Sequence, residues 1–475
     1  MLAYLAPILV FGLVIFVHEL GHFIAAKLTG VYAPRFSIGF GPALFRKRHG
    51  ETEYVLASLP LGGYVRMASR HDAEAAFIEG GNEETGALKP GDAGYDPEGM
   101  MPFGPKPVPE SRWFESKSLA ARLFIMIAGV TMNILLAFAI YSAMNIIYGE
   151  PVIGTRVVGA VRAPASAPAL SQLAPGDTIS AINGEPVRNW GDITDRIEAA
   201  PSGTLAIKTQ RGTVDIPVGS AGAPTAREIS DAIDFHIPPV IGEVLPGSAA
   251  LKAGMKAGDT IVTIAGQRVQ TWPDLVKLVS ASPGVELAID VRRAGAPVSL
   301  KVTPLATPER DTATKTSHDV GRIGAAVADF TARQPLGPIA AVQAGARQTW
   351  FSATQIVVTV RKLFTRQISV RELGGPIAIT RASVAAGQSG LAGMFLLIAL
   401  LSVNVAVLNL LPIPILDGGQ ILINIAEAAK GSAFSARTRE YILRVGLVAI
   451  LLIFAMSTYN DVVKLVRDVG GRLFG

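Results

Sequence analysis

The sequence predicts a polytopic α-helical membrane protein with four transmembrane helices and two small α/β domains inserted between the second and the third. Three observations carry that expectation. Of 475 residues, 49% are hydrophobic and only 17% charged, a balance too apolar for an ordinary soluble protein. Four long apolar runs punctuate the chain, suited to a hydrocarbon core about 30 Å thick. A polar region between the second and third runs repeats itself.

Composition closes several routes. There is no cysteine, so disulfides, thiolate metal sites, iron–sulfur clusters and cysteine nucleophiles are excluded, and any bound metal must be held by His, Asp or Glu. The net charge of +5 is modest and is not gathered into an aromatic-studded basic stripe. It reads as membrane-flanking Lys and Arg, and no nucleic-acid partner is expected.

Residues 1–26 carry one formally charged side chain, Glu19, and are expected to form the first transmembrane helix. No Lys or Arg precedes Lys27, so the segment lacks the basic start of a cleaved signal peptide and is expected to stay. The other spans are expected at 119–148, at 391–426, where Pro412 and Pro414 interrupt the run, and at 440–463. Residues 27–122 hold twelve Lys and Arg against none ahead of the first span, which places that loop in the cytoplasm and the N-terminus outside. Lys464, Arg467 and Arg472 argue weakly the other way. Residues 71–118 are rich in Gly, Pro and acid and read as a flexible cytoplasmic insert. Residues 306–333 read as a linker, and 334–390 as an amphipathic region on the membrane surface, with Trp350 and Phe351 at the interface.

The repeat spans 151–222 and 235–305. Pro151-Val152-Ile153-Gly154 recurs as Pro239-Val240-Ile241-Gly242, Gly176-Asp177-Thr178-Ile179 as Gly258-Asp259-Thr260-Ile261, and Trp190 as Trp272, at spacings of 88 and then 82 residues. Each copy has β-rich runs and one helical stretch, and the Gly-Asp-x-Ile turn followed by an Asn-Gly or Ala-Gly hairpin resembles PDZ domains, which bind extended peptides at a sheet edge. A pair of purely structural spacers is the competing reading, since neither copy shows an identifiable carboxylate-binding loop.

His18-Glu19-Leu20-Gly21-His22 puts two imidazoles at i and i+4 on one helical face, where they can ligate one zinc ion, with Glu19 beside them as a general base. Three such groups in an otherwise uncharged apolar helix are costly unless bound to something, which marks a functional site. A catalytic zinc takes three protein ligands, and Asp417 is the candidate third: it is the only acid between Leu373 and Ile425. Gly418-Gly419 after it would allow close backbone approach, while an N-cap role for Asp417 stays open. Asn404 and Asn409 lie in the same apolar segment, where their amides could hydrogen-bond an unwinding substrate helix or simply pack between helices.

These motifs, together with Phe36-Ser37-Ile38-Gly39-Phe40-Gly41, Pro60-Leu61-Gly62-Gly63-Tyr64-Val65-Arg66-Met67, Gly375-Pro376-Ile377 and the stretch from Asn409 to Leu416-Asp417-Gly418-Gly419, resemble the site-2 protease family of intramembrane zinc metalloproteases. The resemblance covers nearly the whole chain. It implies zinc held by His18, His22 and Asp417, Glu19 as general base, and a re-entrant β region at 27–70 whose Gly62 and Gly63 help hold the substrate as a strand. Asn133 carries over as a substrate-binding residue, although the family's Ala-Gly-Pro-x-x-Asn appears here as Ala128-Gly129-Val130-Thr131-Met132-Asn133. The resemblance further implies a bacterial inner-membrane location with periplasmic PDZ-like domains. The expected substrate is a single-pass membrane protein of the anti-sigma-factor class, or a signal-peptide remnant, already cut by an upstream site-1 protease. A metal-ion transporter would carry more ionisable residues along its other spans, and a non-catalytic PDZ scaffold would not need Glu19 beside the histidines.

Overall fold

The computed structural model describes residues 2–69, 88, 90, 95–220, 222–310, 317–365, 367–370 and 374–473. The chain divides into two compact units, Met1–Gly149 with Pro335–Asp468, and Glu150–Gln334 with Val469–Gly475. The helices used below are, in chain order, α1 (Leu2–Leu28), α2 (Leu119–Tyr148), α3 (Trp190–Glu198), α4 (Trp272–Ser280), α5 (Pro338–Phe364), α6 (Pro376–Gln388), α7 (Leu391–Asn409), α8 (Asp417–Lys430) and α9 (Ala436–Leu473).

In the first unit, four stretches among the described residues are long and apolar enough to cross a membrane: Leu5–Leu28, Leu119–Tyr148, Leu391–Asn409 and Ala436–Val466. The chain is therefore a polytopic membrane protein with additional β regions. Helix α2 is central, packing against α1, α5, α7 and α8. Its first turn is capped by the Ser118 hydroxyl, which accepts from the Ala121 N–H, and it stops at Gly149 with φ of 78°. The α1–α2 crossing is close because it is built on glycine: a Cβ on Gly21 would lie 2.4 Å from the Ala128 carbonyl oxygen.

The span expected at 391–426 is not one helix. Helix α7 ends at Asn409, residues 410–416 form a turn containing Pro412 and Pro414, and α8 restarts at Asp417. Glycines 418 and 419 are required by that turn, since a Cβ on either would lie within 2.2 Å of the Leu410 or Ile413 carbonyl oxygen. Close approach is thus to the chain's own preceding turn. Residues 334–390, expected on the membrane surface, contain α5 and α6, which pack within the helical unit: α5 against α2 and α7, α6 against α1 and α7. Small residues permit this, with Ala341 and Ala344 buried and Gly345 set against Ser142. Trp350 and Phe351 remain exposed.

Between α1 and α2 lies an antiparallel hairpin of β1 (Arg35–His49) and β2 (Thr52–Arg66). Residues 35–38 pair with 53–56 on one side and with 63–66 on the other, because β2 bends back between those stretches. The turn is tied down by Glu51, which accepts from Arg112 at 2.8 and 2.9 Å and from Lys27 at 2.6 Å. Much of the insert expected at 71–118 lies outside the described residues. Its later part, from 95 onward, folds against the hairpin, with Phe103 buried under the Arg48 guanidinium.

The second unit is a duplication. Strands β3 (Glu150–Ile153), β4 (Val158–Val161), β5 (Ile179–Ile182), β6 (Glu185–Pro186), β7 (Gly203–Thr209), β8 (Gly212–Val218) and β9 (Ile233–Phe235) precede β10 (Ile241–Val244), β11 (Thr260–Ile264), β12 (Gln267–Arg268), β13 (Leu287–Arg293) and β14 (Ala296–Val302). The sheets run β6-β5-β7-β8 and β12-β11-β13-β14, the same order twice. Asn183-Gly184 and Ala265-Gly266 all have positive φ, as a two-residue hairpin of matching twist needs. Asp177 is clasped by Arg211, and Asp259 by Arg293, at 2.6–2.7 Å through two guanidinium nitrogens in each case.

Two expectations shift here. The structural partner of Pro239–Gly242 is 156–159 rather than Pro151–Gly154: Val158 and Ile241 both donate to the turn aspartate's carbonyl, of Asp177 and Asp259. The presumed linker 306–333 is largely strand, comprising β15 (Leu305–Arg310), β16 (Ser317–Arg322), β17 (Ala325–Val327) and β18 (Thr331–Gln334). β17 closes the second copy on β10 as β9 closes the first on β4, and β18 pairs with β3. The three and four residues of β17 and β18 carry too little periodicity to be read from sequence.

Candidate functional site

The i and i+4 spacing on α1 brings His18 and His22 to one face, their Nε2 atoms 3.2 Å apart. Asp417, the first residue of α8, points its carboxylate at both, with Oδ2 3.3 Å from His18 Nε2 and Oδ1 3.4 Å from His22 Nε2. Its carboxylate does not cap the helix: the N-cap is Leu416, without a side-chain bond. His22 Nδ1 donates to the Ile125 carbonyl at 2.8 Å, which leaves the lone pair of the neutral ring on Nε2, aimed at the cluster. Among the described residues, His18, His22 and Asp417 are the group whose donor atoms could hold a metal, all within 4.8 Å of one another.

The donor set fits zinc. Tetrahedral zinc with donors about 2.0–2.1 Å away separates any two of them by about 3.3 Å; the two Nε2 atoms are 3.2 Å apart and each has one Asp417 oxygen at 3.3–3.4 Å, Oδ2 for His18 and Oδ1 for His22. Lone-pair-bearing atoms this close repel one another without a proton or a cation between them, and among the described residues Asp417 Oδ2 has no hydrogen-bond partner.

The cluster opens on a cavity of about 460 Å³ lined by Glu19, Gly62, Gly63, Tyr64, Asn409 and Gln420 among others. Glu19 sits beside both histidines on α1 and lies against the backbone N–H of Val65 in the last stretch of β2. Gly63 is packed so tightly there that a Cβ would come within 3.0 Å of Glu19 Cγ. Asn409 Nδ2 donates to His18 Nε2 at 3.0 Å.

The sequence model of peptidase family M50 matches residues 6–453. This chain belongs to peptidase family M50. It is 32% identical to the regulator of sigma-E protease RseP of Salmonella typhimurium over 97% of this chain and 98% of that protein. The same identity holds for the RseP of Escherichia coli K12, over 96% and 98%. A candidate zinc metalloprotease of Ralstonia nicotianae is 31% identical over 98% and 99%. The M50 chain is thus a zinc-dependent metalloendopeptidase of the site-2 type, and neither the transporter nor the scaffold reading has support among these relatives.

Of the substrate-binding candidates in this M50 protease, Gly62, Gly63 and Asn409 line the cavity. Asn404 is half-buried and is not among the lining residues. Asn133 is fully buried on α2, away from the lining, and among the described residues neither atom of its amide has a hydrogen-bond partner. Two further residues of the site stand outside the candidates named from the sequence. Gly129 lies directly under the histidines, and Gln420 stands one turn beyond Asp417 with Nε2 donating to the Pro414 carbonyl at 2.7 Å. The second is readable as a polar residue in register with Asp417; the first depends on a crossing that no local pattern reveals.

Proposed function

We propose that the protein hydrolyses a peptide bond in or near the transmembrane segment of a single-pass substrate of the anti-sigma-factor class, from which an upstream site-1 protease has already removed part. His18, His22 and Asp417 hold the zinc. The observation that carries this is the convergence of residues from distant parts of the chain: the two Nε2 atoms lie 3.2 Å apart and the Asp417 carboxylate sets one oxygen 3.3 Å from His18 and the other 3.4 Å from His22. When bound, zinc supplies a Lewis acid that polarises a carbonyl and makes water acidic enough to be a nucleophile near neutral pH.

The chain's own groups do the rest. Glu19, a neighbour of both histidines, takes a proton from the attacking water and delivers it to the leaving amine. Gly62 and Gly63, at the bend of β2, leave the backbone open to an extended substrate, which would join the sheet as a strand. Asn409 donates to the lone pair that zinc would use, so with the metal in place its amide is free to meet a substrate carbonyl. Asn404, half-buried on α7, acts in this reading on the substrate helix as it unwinds, whereas Asn133, with no exposed surface, does not reach it. The names of the relatives support the substrate class, since two of them are regulators of sigma-E. The placement is a bacterial inner membrane with the duplicated PDZ-like unit in the periplasm. There it admits substrates shortened by the first cut.

The test is cleavage of a reconstituted single-pass substrate by the wild type and by Glu19→Gln, with zinc measured on both. Glu19→Gln is expected to keep its zinc and lose about 10²–10⁴-fold in rate. Equal rates would remove Glu19 from the chemistry.

A further inference from the structure

Helix α8 carries Asp417, Gln420, Asn424 and Glu427 at three- and four-residue spacings, which stack side chains along one stripe of a helix. Asp417 meets the histidines. Each of the other three is held: Gln420 by the Pro414 carbonyl, Asn424 by Arg122, whose Nη1 donates to its Oδ1 at 2.9 Å, and Glu427 by the Phe434 N–H at 3.0 Å. Glu427 Oε2 also stands 3.9 Å from Arg122 Nη1. Asn424 and Glu427 are buried and the Arg122 side chain is only 14% exposed, at the start of α2. Buried charge is weak evidence for stability, and its best-attested use is to fix register between helices. Register is what the metal site needs here. A slip of α8 by one residue turns its face by about 100° and takes the Asp417 carboxylate away from the histidines.

We propose that Arg122, through Asn424 and Glu427, locks the rotation of α8 on α2 and thereby presents Asp417 to the metal. Arg122, Asn424 and Glu427 are positioning residues; none of them lines the cavity. The lock rests on the reading of Asp417 as a zinc ligand.

The test uses the full chain in detergent, with Co(II) in place of zinc so that the absorption spectrum reports ligand geometry, and with metal affinity measured by competition with a chelator. Arg122→Ala and Asn424→Leu are expected to weaken metal binding about tenfold or more and to alter the cobalt spectrum. Asn424→Asp still accepts from Arg122 and keeps both near wild type. Ile423→Ala, a buried apolar truncation on the same helix, lowers the melting temperature and leaves the spectrum unchanged. Wild-type affinity and spectrum in Arg122→Ala and Asn424→Leu would overturn the lock, as would a spectral change in Ile423→Ala as large as theirs. If Arg122→Ala does not fold, the contrast between Asn424→Leu and Asn424→Asp decides alone. Asp417→Ala in the same assay separates the two ideas: undiminished metal affinity there would refute the ligand reading itself, and the lock with it.

Discussion

A Cβ placed on Gly129 would lie 2.4 Å from His22 Nε2 and 2.9 Å from His18 Cε1, inside the space the two rings occupy. Helix propensity alone favours alanine over glycine in a helix interior by about 1 kcal/mol. Overpacking a close contact costs about 1–3 kcal/mol, so the contact outweighs the propensity, and the rings have little room to yield because His22 is pinned through Nδ1 to Ile125. Gly129→Ala is therefore expected to fold with α2 intact but to lose most of its zinc and its proteolysis together. Zinc analysis of the purified variant checks this; a full complement of metal would mean that the rings adjust freely. At this scale the histidine pair is legible in the sequence, because its i and i+4 spacing is local. Asp417 is legible as a lone acid in an apolar segment, since intramembrane charge calls for a partner. Gly129 and Arg122 are not, because their meaning lies in the helix that crosses them.

Among the elements, the two copies of the duplicated unit share one device, an aspartate in the Gly-Asp-x-Ile turn held by an arginine from the sheet. Hydrogen bonds from Arg293, outweighing the opposing effect of burial, hold the Asp259 carboxyl below the usual carboxylate range. For Asp177, burial pushes the carboxyl up, and the Arg211 bonds, the Ala174 N–H and the Arg211 charge together overcome it, with the same net direction. A depressed folded-state pKa favours the folded chain once the unfolded carboxyl has ionised. The stabilisation is thus complete above about pH 4 and fades as pH falls through the lowered folded value. Asp259→Asn should accordingly lower the melting temperature of this unit at pH 7, and the gap to wild type should narrow as the pH is taken below about 4. A gap that stays constant into acid would show that the turn needs the side chain's shape and not its charge. The repeated turns are readable because Gly, Asp and the hairpin pairs Asn-Gly and Ala-Gly are tied to particular backbone angles. The closing strands β9 and β17 and the strap of β3 on β18 are not. They are short, and their partners lie at the far end of each copy.

Across the whole molecule, the apolar runs announce the helical unit, but hydropathy cannot separate a spanning helix from one broken at its end. The run through Asn409, Pro412, Pro414 and Asp417 is continuous in composition, and its division into α7 and α8 follows from the two prolines, with the Pro414 carbonyl accepting from Gln420 on α8. The duplicated unit is inserted cleanly: β3 and β18 pair with Glu150 opposite Gln334, so the chain enters and leaves it at neighbouring points. Paired Cα atoms in an antiparallel ladder are about 4.5–5.5 Å apart, so a two- or three-residue Gly-Ser link from Gly149 to Pro335 can replace residues 150–334. No residue of the His18, His22 and Asp417 cluster or of the cavity lining lies within that insertion. The shortened chain is therefore expected to bind zinc and to cut a substrate that has already been trimmed at the wild-type rate. If the duplicated pair filters substrates by size, the wild type will spare an untrimmed full-length substrate that the shortened chain cuts. If the full-length substrate stays resistant while the trimmed one is cut normally, selection does not reside in the inserted unit and must lie in the substrate or at the mouth of the site.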